Sequence, residues 1–413
     1  MYHGIRVYKY SVYGGNVMKL LIHDLSREEW KKIASEYNGW KVVADSGLIK
    51  PCVGCFGCWV KTPGQCVIKD GYDNMGALIH KAEEIVVMSR YTYGGFSGFV
   101  KNVFDRSISW VLPYFEIIDG EMHHKSRYPE EKKVTFIFRG TGISEEDKAA
   151  AEEYVKSVCR NFHTDATEIL FVEAEESEEG KNGKRYNSGQ NPRDSRDEGV
   201  KGKTILLNCS MRGKRANSKR ILDRMVPEIQ GETLSINLSE YAKKPDELKK
   251  ILNSSEKIIL GMPLYVDGVP SSPLRVMEMM EREGRRDGKI IYVVANMGFY
   301  ESKQIHNLLG MVKRWCEKCG YTYGGGIAVG AGEMIGTMMK SNNLAKGPTA
   351  NVAMGMSRLI EAVNSASVTE DIYADPAGFP RKAYMFLANM GWPRDARKNG
   401  LKKKDTFRRI ELQ

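Results

Sequence analysis

The sequence predicts an α/β protein made of two tandem copies of a doubly wound parallel sheet, followed by a helical basic tail. Three observations carry this. Short β-branched runs alternate with amphipathic stretches, the pattern of parallel strands covered on both faces. The alternation stops at residues 173–202, EAEESEEGKNGKRYNSGQNPRDSRDEGVKG, which hold almost nothing apolar, and then restarts. The two halves also share a signature after their third strands. RYTYGGFSG at 90–98 is followed by the helical FVKNVFDR, and PLYVDGVPS at 263–271 by the helical stretch PLRVMEMMER.

In the first half the strand runs are MKLLIH, WKVVADSG, EEIVVMSRYT, KVTFIFRG and TEILFV. Ser26 with Glu29, and Ser144 with Asp147, mark helix starts between them. In the second half the runs are KTILLNCS, ETLSIN, KIILGMPLY, KIIYVVANMG and TYGGGIAVG, with Ser272 as a helix cap and Pro273 in its first turn. A chain of 413 residues suits two domains. The expected division is 18–172, a linker at 173–202, 203–340, and a helical extension at 341–413. Residues 1–17 show no periodicity, and Gly14-Gly15 can be encoded by a ribosome-binding sequence, so Met18 is the expected natural start.

The chain is 42% apolar, with no run near the roughly 20 residues of a membrane span and no signal peptide at its start. The expected location is the cytoplasm, where clustered cysteines are metal ligands or redox groups more often than disulfides. The net charge is +10, but from Arg381 onward ten Lys/Arg face three Asp/Glu. The globular part is therefore near neutral, and no nucleic-acid partner is expected. The tail joins FPRKAYMFLANMGW to PRDARKNGLKKKDTFRR. Its aromatic face is expected to pack on the body or on a partner subunit and its charges to stay solvated, without membrane contact.

After the first strand of the second half comes Ser210-Met-Arg-Gly-Lys-Arg-Ala-Asn-Ser218, then a helix. A phosphate dianion needs several donors at once, and a helix N-terminus offers free N–H groups and the positive end of its dipole. Ser210, Asn217 and Ser218 add side-chain donors and Arg212 a fork. The GK[ST] ending of an ATP loop is missing. Two further loops suit a flat apolar ring. In one, Tyr265 can stack, Pro263 stiffens the strand end and Gly268 lets the backbone approach; the other runs from Asn296 to Ser302. The first half has no such equipment, because LLIHDLSREEW passes from strand to helix with no room for a phosphate loop and Ser26 reads as a cap.

These loops, SMRGKRANS, PLYVDGVPSS and NMGFYES, resemble those of flavodoxin-like NAD(P)H-dependent FMN reductases, over about residues 18–340. The resemblance implies strand order 2-1-3-4-5 in each half and FMN at the carboxyl ends of the second sheet. It also implies that Leu264, Val266, Asn296 and Gly298 border the ring with Pro263, Tyr265 and Gly268. The implied activity passes electrons from NAD(P)H or a low-potential donor such as ferredoxin to a quinone, flavin or other small acceptor. The alternative is an electron carrier between ferredoxin-like partners with no small-molecule substrate. No acid–base triad is visible, so the chemistry is expected to be the flavin's. A homo-oligomer is compatible with the family.

The first half instead carries PCVGCFGCWVKTPGQCVIKD, with Cys52, Cys55, Cys58 and Cys66 spaced C-x2-C-x2-C-x7-C. Short gaps let thiolates curl round one inorganic cube, and the fourth returns after Pro63-Gly64. Structural zinc more often uses two pairs. A [4Fe–4S] cluster is the favoured reading, with zinc or metal-free thiols as alternatives, and the run is similar to that of iron–sulfur flavoproteins in the same superfamily. The second half has only LSEYAKKPDELKK at the matching place. Cys159 and Cys209 read as buried small hydrophobes, Cys316 and Cys319 as core positions on one helix face. His123-His124 reads as a solvated loop, and Gly330-Ala-Gly332-Glu-Met-Ile-Gly336 misses the dinucleotide spacing by one residue.

Overall fold

The computed structural model describes residues 18–128, 130, 132–174, 203–284, 288–340 and 343–412. The expected start at Met18 concerns residues 1–17, and these, with nearly all of the expected linker, lie outside the described residues.

Lobe one runs β1 (Lys19–His23), α1 (Arg27–Ile33), β2 (Lys41–Ala44), α2 (Gly57–Val60), α3 (Met75–Lys81), β3 (Glu84–Arg90) and α4 (Gly98–Arg106). A hairpin follows, β4 (Val111–Ile118) and β5 (Glu121–Ser126), then β6 (Lys133–Gly140), α5 (Glu145–Phe162) and β7 (Asp165–Glu173). Its sheet is parallel throughout, in the order β2-β1-β3-β6-β7. With the hairpin set aside, this is the flavodoxin-like order 2-1-3-4-5.

Lobe two runs β8 (Thr204–Asn208), α6 (Asn217–Met225), β9 (Thr233–Asn237), α7 (Pro245–Asn253), β10 (Lys257–Pro263), α8 (Ser271–Glu281), β11 (Ile290–Asn296), α9 (His306–Cys319) and β12 (Thr322–Val329). After α10 (Gly332–Met338) and α11 (Ala350–Ser365), a sixth strand, β13 (Ile372–Ala374), joins the edge. The order β13-β12-β11-β10-β8-β9 is again parallel throughout. The extension from 341 is helical apart from this strand. Leu359 and Val363 on α11 are fully buried against this sheet, and three residues add a strand too short to show a period. The last helix is α12 (Arg381–Lys398). No helix among the described residues is long and apolar enough to cross a membrane.

The capping signals at 26 and 144 form as read: Ser26 accepts from Glu29 N while Glu29 accepts from Ser26 N, and Ser144 accepts from Asp147 N. The cap at Ser272 does not form. Helix α8 starts two residues earlier, at Ser271, and its N-terminus is capped from the other lobe, where Asp105 Oδ2 accepts from Ser271 N at 2.9 Å. Ser271 Oγ also meets Asn102 Oδ1 at 3.1 Å.

The two signature loops make the same tight turn, with Thr92 paired to Gly95 and Tyr265 to Gly268. Both glycines press on the same two side chains, Tyr154 of lobe one and Met311 of lobe two. Around this approximate twofold, α4 packs on α8. Arg90 of lobe one pairs with Glu278 of lobe two at 2.5 Å, and Tyr93 Oη donates to Glu281. RYTYGGFSG is therefore a surface facing the other half.

At the centre lies a buried ion pair. Lys101 and Asp105, one helical turn apart, have no exposed side-chain surface; the ammonium contacts the carboxylate and also donates to the Tyr265 carbonyl at 2.7 Å. Breaking such a pair on one side leaves a buried charge uncompensated, at a cost of about 3–5 kcal/mol. Asp105→Ala is therefore expected to destabilise the protein by about that amount, measured by denaturant unfolding, and Lys101→Met added to it to recover part of the loss. A single variant within about 1 kcal/mol of the parent refutes this role.

Candidate functional site

A cavity of about 440 Å³ lies at the carboxyl ends of the second sheet, between the lobes and under α12. Three loops of lobe two form one side. The first follows β8. Asn208, buried at its start, staples the loop by donating to Gly213 O (3.0 Å) and Asn237 Oδ1 (2.9 Å), while its own Oδ1 accepts from Ser210 N and Ser218 Oγ. Helix α6 then begins at Asn217 with Ala216 in the cap position and no side-chain cap, and Asn217 and Ser218 of its first turn line the cavity. Ser210, Asn217 and Ser218 are all buried along this stretch. Arg212 lies over the Phe56 ring at 5.3 Å and is held by Glu333 at 2.7 Å.

The second loop follows β10. Leu264 N donates to Asn296 O, and at the tip Val266 (φ 41°) and Asp267 (φ 56°) adopt left-handed backbone. A β-branched residue there is strained and persists only where its surroundings over-determine it. Those surroundings come from lobe one. Lys101 donates to Tyr265 O, Tyr154 Oη to Val266 O (3.3 Å) and Asn161 Nδ2 to Asp267 Oδ2 (2.6 Å). The third loop follows β11. It presents Asn296, whose buried Oδ1 has no hydrogen-bond partner, and Gly298, beside which there is open space.

Lobe one supplies the opposite wall. The chain from Cys52 winds through left-handed Gly54 and Phe56 into α2, and Gly54 N and Gly57 N point at the sulfurs of Cys52 (3.5 Å) and Cys55 (3.4 Å). A side chain at Gly54 would overlap the Tyr265 hydroxyl, so the cysteine loop and the ring loop are in contact. All eight cysteines are free. Burial pushes the Cys52 thiol up to about 12 and the Cys58 thiol well above its ordinary value. Beside them lie two buried guanidiniums. Arg106 forks onto Asp70 (2.8 and 3.0 Å), while Arg127 donates only to the carbonyls of Ser109, Val111, Thr406 and Arg408.

Among the described residues no group of three or more His, Cys, Asp or Glu side chains closes tightly enough to hold a single metal ion. A lone tetrahedral ion, which draws its sulfurs to about 2.3 Å, does not fit the side chains as they stand.

The remaining wall is α12. Tyr384 Oη donates to Gly298 O at 2.6 Å, and Trp392 meets Phe56 and Trp59 edge-on at 5.5 and 5.3 Å. The tail's aromatic face packs on the body as expected.

Ser210, Arg212, Asn217, Ser218, Pro263, Leu264, Tyr265, Val266, Asn296 and Gly298 all line this cavity, together with Cys52, Cys55, Cys58 and Cys66. Gly268 does not; it closes the ring loop from behind. Cys159, Cys209, Cys316 and Cys319 are buried and do not line it. The reading of His123-His124 as a solvated loop is corrected. They lie on β5, where His123 is buried and bonded to Asn161 at 2.8 Å, and His124 faces the cavity among Trp59, Phe115 and Phe299. Asp105, Asn161, Asp267 and Glu333 also line it unforeseen. Only Asp267 and Glu333 carried a signal, standing inside or beside loops already singled out.

Burial pushes the His124 imidazole down to about 3, and that of His23, stacked on Trp30, down to about 4. Both are neutral in the native protein near neutral pH, whereas in the unfolded chain they titrate near about 6.5. Their contribution to stability is thus complete above about pH 6.5 and is lost as pH falls toward the folded values. The thermal unfolding midpoint is expected to drop through that window. His124→Phe, whose ring suits the aromatic surround, is expected to flatten the slope; an unchanged slope counts against it.

No family model matches the sequence, and no curated protein matches it. Among solved structures the chain is similar to an azoreductase from Bacillus anthracis (13% identity, 40% of this chain and 99% of that one, TM-score 0.30). It is also similar to an FMN-dependent NADH-azoreductase from Bacillus anthracis in complex with FMN (15%, 40% and 99%, 0.29) and to a flavone reductase (12%, 45% and 70%, 0.31). Likenesses of this order carry no inference about ligand or reaction, which rest on the site itself.

Proposed function

We propose that this chain is an FMN-dependent oxidoreductase that takes electrons from NAD(P)H or a low-potential donor and passes them to a quinone, flavin or other small acceptor. One observation carries the reading. Three separate loops of lobe two, at the strand ends where the flavodoxin-like order puts its ligand, converge on one cavity with an uncapped helix N-terminus at one end. The loop from Ser210 to Ser218 suits a phosphate: buried hydroxyls, the uncapped start of α6 and the Arg212 fork. The apolar wall of Leu264, Tyr265 and Trp392 suits a flat ring, and the unpartnered Asn296 Oδ1 is an acceptor for a ring N–H. A flavin bound there supplies both two-electron and one-electron chemistry. The residues of the chain bind it, orient it and shield it; Asp267 and His124 are among the polar groups of the cavity wall.

The cysteine wall supports a [4Fe–4S] cluster as the second centre. Sulfurs around an inorganic core stand wider apart than around one ion, and backbone N–H groups directed at sulfur stabilise the anionic form. Arg127, a buried cation whose donors all end on carbonyls, is complemented by an anionic centre beside Cys58. Lobe one lacks a second flavin site in this reading: α1 is self-capped by Ser26, and Asp24 already accepts from Arg90 N and Arg139.

The test is anaerobic reconstitution with iron, sulfide and FMN, followed by absorption spectra and iron and flavin analysis. Cys55→Ala is expected to lose the broad cluster absorbance and keep flavin. Arg212→Ala is expected to keep iron and weaken flavin by about tenfold to a hundredfold, the loss of one charged hydrogen bond. Loss of both centres in both variants contradicts separate sites, and a colourless wild type sinks the flavin reading itself. Steady-state NAD(P)H oxidation then separates an enzyme from a carrier reduced only by ferredoxin or dithionite.

A further inference from the structure

We propose that the outer face of α12 docks the protein on an anionic membrane surface. The helix is apolar on two opposite sides. Its inner side, with Tyr384, Ala388, Trp392 and Ala396 spaced four apart, packs on the body and roofs the cavity. Its outer side leaves Phe386, Leu387 and Met390 exposed at 63, 56 and 58%. At 3.6 residues per turn these three fall with Lys382, Arg394, Arg397 and Lys398 within about 160° of the helix circumference. No acidic residue lies in that sector; Asp395, the one acid of the helix, turns toward the cavity and holds Lys398 at 2.6 Å. The cationic character continues beyond the helix through exposed Lys402, Lys403 and Lys404.

Charge complementarity and shape select the occupant. Apolar side chains projecting between cations suit a bilayer interface, where lysines and arginines meet lipid phosphates and the apolar groups reach the acyl boundary. A second copy of this chain docked face to face would set these cations against one another. A nucleic acid or an acidic protein satisfies the cations but leaves three large apolar groups without a role. The side chains that stay outside are apolar as well as charged, and on that ground the proposal departs from the expectation of no membrane contact. The docking argument stands apart from the flavin. Where both hold, the cavity roof lies against the lipid, the phase from which an apolar acceptor such as a membrane quinone would arrive.

The test uses the full chain, whatever its cofactor content, and sedimentation with vesicles of pure phosphatidylcholine or of phosphatidylcholine with one-quarter phosphatidylglycerol. Binding to the anionic vesicles, absent with the neutral ones and weakened by salt, is expected. Combined Phe386→Ser, Leu387→Ser and Met390→Ser substitutions are expected to lower it at least tenfold without shifting thermal unfolding, since all three side chains are exposed. Independently, Phe386→Trp is expected to blue-shift its emission on anionic vesicles only. Failure to bind, equal binding to both lipids, or binding lost with the cations but indifferent to the apolar triple overturns the proposal.

Discussion

The ring loop of lobe two could not hold its shape alone. Val266 sits in left-handed backbone, an arrangement that a β-branched residue resists, and Asp267 follows it there. Three donors from lobe one fix three successive residues of that loop: Lys101 on Tyr265, Tyr154 on Val266 and Asn161 on Asp267. Asp105 neutralises Lys101 and also caps α8, the helix into which the loop leads. The buried charge is thus tied to the backbone conformation of the site as well as to the stability of the fold. Buried pairs of this kind contribute little net energy against an apolar replacement but a great deal of geometry. The cavity is a property of the interface between lobes.

That dependence explains what could and could not be read from the amino acids. The alternation of apolar runs with amphipathic stretches reports burial on both faces of each sheet, and it located all ten strands of the two five-stranded cores. Helix caps are local and were legible at Ser26 and Ser144. The loop from Ser210 to Ser218 was legible because an anion site needs its donors close together in sequence. Asp105 and Asn161 were not. Each stands on an amphipathic helix, where one polar residue looks like any solvated position, and their contacts to the ring loop and to α8 lie more than a hundred residues away. The Ser272 cap failed because α8 already begins at Ser271, whose N–H is held by a carboxylate from the other lobe. His124 was misread because the β4–β5 hairpin is an insertion with no counterpart in the repeat, and β13 was missed because three residues carry no period.

The two lobes begin alike and then diverge within a few residues. His23 Nδ1 accepts from Leu25 N, as Asn208 Oδ1 accepts from Ser210 N, so each first strand ends in the same local turn. In lobe one the helix starts at once, sealed by a capping box, and the Asp24 carboxylate occupies donors at the head of the next loop. In lobe two eight residues intervene and the helix start is left open. A carboxylate already in place and a missing loop are two independent obstacles to an anion, so reopening lobe one would need both removed.

Joining the lobes in one chain is what lets this asymmetry persist. In a symmetric pair, any residue that grips the neighbour's ring loop must also occupy the equivalent place beside its own, and a cysteine wall on one side implies another on the other. Here the equivalent of Asp105 by the loop alignment is Glu278, which pairs outward with Arg90 instead of capping a helix. The equivalent of Lys101 is Leu274, fully buried in the apolar core of lobe two. Polar chemistry at one site and plain packing at its mate are incompatible demands on a single sequence used twice, and compatible ones on two sequences. The approximate twofold survives where it costs nothing, at Gly95 and Gly268 against Tyr154 and Met311, because close backbone approach is needed identically on both sides of the axis.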